Sequence, residues 1–108
     1  MKVNNKDMAQ QVRATKQFTN NNNTVWTNWE GKFYTVYSYG RHFPMYAYDT
    51  EAELWYGNED KFSRTTTTHQ RLARPVEADK IKWVGTEILK DLLEARSTSR
   101  YVARRLTN

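Results

Sequence analysis

Residues 25–56, VWTNWEGKFYTVYSYGRHFPMYAYDTEAELWY, are dense in aromatic and β-branched side chains and are cut by short turn-forming groups. Residues 25–29 and 32–39 flank Glu30-Gly31, a pair suited to a tight hairpin turn. In the second segment Phe33, Thr35, Tyr37 and Tyr39 alternate with Tyr34, Val36 and Ser38, the period of a strand with two distinct faces. Gly40-Arg41 fits a turn with glycine in its first central position, and residues 42–49 alternate again, with Phe43, Met45 and Ala47 on one side. Pro44 has no amide hydrogen to give to a ladder, so this strand is expected at a sheet edge or to begin late. Thr50-Glu51 then turns the chain into a short strand over residues 52–56. Connections this short join neighbours in space, and the expectation is an antiparallel meander of about four strands.

Working outward, residues 5–18 read as a helix, since Met8 and Val12 lie four apart and Asn4 or Asn5 is available as N-cap. The tract Thr19-Asn20-Asn21-Asn22-Asn23-Thr24 carries short polar side chains that compete with the backbone for hydrogen bonds, and reads as a loop. Beyond the meander, Thr67 with Gln70 three residues on has the spacing of a capping box, and Pro75 closes that short helix. Residues 78–96 give the clearest helical pattern, with Ile81, Val84, Ile88 and Leu92, and also Leu89 and Leu93, on one stripe. Residues 100–106 read as a short basic helix. The fold class expected is α+β: a single domain over residues 1–108, with an N-terminal helix at 5–18, a β-meander at 25–56 and a basic helical half at 66–106. Two or three helices of that half are expected to pack on one face of the sheet.

The chain has 108 residues, among them four Trp, seven Tyr and four Phe, so a few large rings must supply much of a small core. Such rings, left half exposed, also suit base stacking or a protein interface. There is no Cys, which excludes disulfides and thiolate metal sites. Apolar runs are only a few residues long, too short to span a membrane. Met1-Lys2-Val3-Asn4-Asn5-Lys6-Asp7 lacks the apolar core of a secretion signal, so an intracellular place, the host cytoplasm, is expected. Net charge is +5 and uneven, with six basic against seven acidic side chains in residues 1–60 and eleven against five in residues 61–108. The basic second half attracts phosphates and acidic protein surfaces alike.

Two stretches, Tyr37-Ser38-Tyr39-Gly40-Arg41-His42-Phe43-Pro44 and residues 56–70 (YGNEDKFSRTTTTHQ), carry a resemblance. They are similar to a family of short, largely uncharacterised phage and mobile-element proteins with the patterns Y-S-Y-G-x-H-F-P and Y-x-N-x-D-K-[YF]-S-x-T-T-x-x-H-Q. The likeness covers roughly residues 33–71. It implies kinship and a phage-type origin, and it brings no activity with it.

Several residues are candidates for chemistry. His42 and His69 with Arg41 are the types needed for base, acid and phosphate clamp in RNA cleavage, because imidazole titrates near neutral pH. The plainer reading is that His69 and Gln70 cap their helix or tether it to the sheet while His42 orders a hairpin. Ser63, Thr65, Thr66 and Thr67 feed a helix N-terminus and are candidate phosphate ligands, although the glycines of a nucleotide-binding loop are missing. No metal site and no cofactor are expected, since two His among scattered carboxylates have no ligand spacing. Arg64, Arg71, Arg74, Lys80, Lys82, Arg100, Arg104 and Arg105, with Tyr39 and Trp55 as stacking rings, are the candidate nucleic-acid or partner surface. The leading functional expectation is a non-enzymatic, phage-type accessory protein that binds nucleic acid through its basic helical half. Alternatives are an anti-defence (anti-CRISPR-like) inhibitor of a host protein or ribonucleoprotein, and a small ribonuclease using His42 and His69. Exposed rings on an edge strand would also allow a homodimer.

Overall fold

The structure, a computed structural model, describes residues 1–75, 78 and 80–95. Its elements are β1 (Lys2–Val3), a 3-10 turn (Asn5–Asp7), α1 (Met8–Arg13), β2 (Thr19–Asn20), β3 (Val25–Glu30), β4 (Phe33–Ser38), β5 (Pro44–Asp49), β6 (Leu54–Asn58), α2 (Arg64–Ala73), β7 (Ile81–Val84) and α3 (Thr86–Ala95). All seven strands form one sheet in chain order. Pairing is antiparallel from β2 through β6, whereas β1 on β2 and β6 on β7 are parallel. Each parallel pair needs a crossover, and α1 and α2 provide them.

The expected four-stranded antiparallel meander with helices on one face is therefore corrected to a seven-stranded mixed sheet covered on both faces. Met8 and Val12 of α1 and Ala73 of α2 join Val25, Tyr34, Val36, Tyr46 and Trp55 in the larger core. Leu89 and Leu93 of α3 meet Phe33 and Ala47 on the opposite face. Every residue of β4 is buried, as a central strand between two helical layers requires.

Three expected elements change. The helix over 5–18 shrinks to α1 and its preceding 3-10 turn, because Thr15 takes a φ of 53° and sends the chain into β2. The asparagine tract contributes a strand, with Asn20 fully buried and its Oδ1 accepting from the amides of Thr24 and Val25. The helix over 78–96 divides at Gly85 into β7 and α3. Ile81, whose neighbour Trp83 suits a strand, packs in the larger core, while Val84, Leu89 and Leu93 pack in the smaller one. The helical stripe thus joined residues that lie on opposite faces of the sheet. The expected helix at 100–106 lies outside the described residues.

The turns also differ in detail. The β4–β5 connection holds its positive φ at Tyr39 (63°) rather than at Gly40. β5 is an interior strand, and Pro44 is its first residue, where no amide is needed. Pairing passes from Val36–Tyr46 to Tyr37–Pro44, so Met45 is the extra residue of a bulge. Met45 and Tyr46 consequently enter the same core.

Candidate nucleic-acid interface

The two motif stretches fasten to each other. Ser38 Oγ lies 2.8 Å from His69 Nδ1, and Thr24 Oγ1 lies 3.4 Å from His69 Nε2. Burial lowers the pKa of His69, so the neutral imidazole is the form this site favours. The Gln70 side-chain amide donates to the backbone carbonyls of Asn58 (2.9 Å) and Asp60 (3.1 Å). Tyr46, whose phenol burial pushes up to about 12, donates 2.6 Å to the Gln70 carbonyl. Asn58 Nδ2 reaches Pro44 O and Thr86 Oγ1, and Asp60 Oδ2 accepts from the Thr86 amide at the start of α3. That last bond holds the Asp60 carboxyl below its usual range. β4, β5, β6, α2 and α3 are thereby tied through one set of short polar side chains.

His42 and His69 have different partners. The His42 ring meets Phe62 edge-on at 6.2 Å and lines a cavity of about 380 Å³ with Glu30, Tyr37, Arg41, Lys90 and Glu94. Arg41 in that cavity donates to Glu30 Oε2 at 2.5 Å, and its guanidinium lies 5.4 Å from the Trp26 ring centroid. Both imidazole nitrogens of His69 face side chains of the scaffold. The catalytic trio considered from sequence is thus divided between a cavity and a buried tether. Among the described residues, no group of three or more His, Asp or Glu side chains is placed to hold a metal ion. Likewise no helix is long and apolar enough to cross a membrane.

The basic surface is built on α2. Ser63 is its N-cap, with φ −154° and its Oγ accepting from the Thr66 amide at 3.1 Å, so the helix begins earlier than a Thr67–Gln70 box would place it. Thr66, His69, Gln70 and Ala73 are buried against the sheet. The exposed side then carries Arg64, Thr67, Arg71 and Arg74, three or four residues apart, with Lys61 just before the helix. No carboxylate occurs in residues 61–74. Among the described residues, no salt bridge joins these four cations to a carboxylate. Lys61, Thr67, Arg71, Arg74 and Trp83 line a groove of about 210 Å³. The Arg74 guanidinium lies 5.5 Å from the centroid of the Trp83 ring.

The other sequence candidates fall as follows. Tyr39 is half exposed and lies 5.6 Å from the His69 ring. Trp55 is 5 % exposed inside the larger core and cannot meet a base, which corrects its candidacy as a stacking ring. Thr66 is buried, Ser63 Oγ serves the cap, and Thr67 Oγ1 donates to Ser63 O, so of the proposed phosphate hydroxyls Thr65 alone is both exposed and outside these bonds. Lys80 and Lys82 are exposed, but alternation along β7 turns Lys82 away from the face that carries Trp83. Arg100, Arg104 and Arg105 lie outside the described residues. Lys61, Phe62 and Trp83 were not singled out from sequence. The available signal was Gly57: a Cβ there would meet the Trp83 ring at 2.6 Å, which marks a close approach from a neighbouring strand.

Compared with protein-family models, curated proteins and solved structures, the chain finds no match in any of the three.

Proposed function

We propose that this chain is a small phage-type accessory protein that binds nucleic acid, and that the α2 face with the Trp83 groove is the contact surface. The observation that carries this reading is the alignment of Lys61, Arg64, Arg71 and Arg74 along a segment, residues 61–74, that holds no carboxylate, beside an exposed indole. Cations in a row neutralise successive phosphates, and their held geometry lowers the entropy that binding must overcome. The motif residues Ser38, Asn58, Asp60, His69 and Gln70 act one step removed, by fixing α2 and β6. The proposed kinship with short phage proteins then concerns the scaffold, and the cations on α2 carry the binding.

The test is fluorescence anisotropy with labelled RNA and DNA oligonucleotides at low salt. The double variant Arg71→Gln/Arg74→Gln should bind about tenfold or more weakly, because two charge-assisted contacts are removed from exposed positions. Native-like affinity of that variant would refute the assignment of the surface.

A further inference from the structure

We infer that the α2 groove accepts a single nucleic-acid strand, RNA or DNA, with one unpaired base stacked on Trp83; this rests on the nucleic-acid reading of the groove given above. Trp83 is 41 % exposed although it belongs to an edge strand beside a helix. Its ring is held from below by the bare backbone of Gly57 and from the side by Tyr46, whose ring meets it at 6.1 Å and 66°. The indole is therefore a fixed platform rather than a loose surface side chain. It lies inside the groove with Lys61, Arg71 and Arg74, so an incoming base and its phosphate would find ring and cations together.

A second exposed ring precedes the same helix. Phe62 is 70 % exposed, immediately before the N-cap of α2, and is propped by Phe43 at 5.8 Å and His42 at 6.2 Å. Along α2 the helix rise places Arg71 about 11 Å and Arg74 about 15 Å from Arg64. Cations beside stacking surfaces match a flexible strand whose bases can turn outward. A duplex has its base faces already stacked and offers phosphates and groove edges only. Trp83 lines a groove of about 210 Å³ together with Lys61, Arg71 and Arg74, so a base stacked on the ring lies among cations. The base stacks on the exposed part of Trp83, where the Arg74 guanidinium now lies, and Arg74 turns to the adjoining phosphate.

The experiment compares a short mixed-sequence RNA strand, the same sequence as a DNA strand, and the corresponding duplex, all by anisotropy with the full chain. Either or both single strands should bind about tenfold more tightly than the duplex. Trp83→Leu should lose about tenfold on the single strand and little on the duplex, and Trp83→Phe should retain most of the affinity. Phe62→Ala, at a position 70 % exposed, should lose severalfold on the single strand while keeping the native thermal midpoint within a few degrees, and so keeps the test decisive if Trp83→Leu does not fold. A duplex bound as tightly as the single strands, with Phe62→Ala neutral, would overturn the single-strand inference and leave the basic-surface reading standing. Absence of binding to all three would overturn both.

Discussion

His69 joins the two halves of the molecule through one ring, with Ser38 on Nδ1 and Thr24 near Nε2. Its burial lowers the pKa below the ordinary value of 6.5. In the unfolded chain the imidazole takes up a proton near pH 6.5, whereas the folded chain resists it to lower pH. Folding stability should therefore fall as pH drops below about 6.5 and stop falling once the folded pKa is passed. Urea midpoints taken from neutral pH down to about pH 5 read this directly, and His69→Gln should remove the His-dependent part of the slope. Asp60, with a lowered pKa, acts in a separate window: its contribution is present above about pH 4 and is lost in stronger acid. Gln70 makes the complementary case for a neutral group. Gln70→Ala leaves two inward carbonyls without their donor and should cost about 1–3 kcal/mol by chemical denaturation. From sequence Gln70 had two readings, a capping-box partner of Thr67 and a cap or tether of the helix to the sheet; its bonds to the backbone carbonyls of Asn58 and Asp60 are those of a tether.

At the scale of elements, local chemistry was legible wherever a residue decides its own conformation. Ser63 before a run of threonines caps α2, and Ser63→Ala should destabilise the protein by about 1 kcal/mol without changing its fold. Pro75 lies just past Arg74, whose ψ of 127° has already left the helix. The pattern from Ile81 to Leu93 misled for a physical reason. A four-residue strand, one glycine and a helix can imitate a continuous stripe, and only the parallel docking of β7 on β6 separates them. That docking depends on Gly57. Gly57→Ala should cost about 1–3 kcal/mol through the forced shift of Trp83 and Ile81, and the loss should be visible as a lower thermal midpoint. The same change should weaken single-strand binding although it removes no charge.

For the whole molecule, covering the sheet on both faces determines which aromatic rings remain available. Alternation in β4 to β6 told which side a ring takes, but not that both sides are buried, and so Trp55 read as a surface ring. Trp83, on the last strand, is a ring the helices leave half open. Arg71 and Arg74 were visible in the sequence as charge; their groove with Lys61 and Trp83 was not, because it is assembled from segments on either side of α2 and from an edge strand. The central claim, that this assembled surface binds nucleic acid through its phosphates, is tested most directly by the salt dependence of single-strand binding. Four neutralised phosphates predict a slope of about −3 in log K against log salt concentration. The Arg71→Gln/Arg74→Gln variant should flatten that slope to about half. A native affinity indifferent to salt, or a slope unchanged in the variant, would contradict the account.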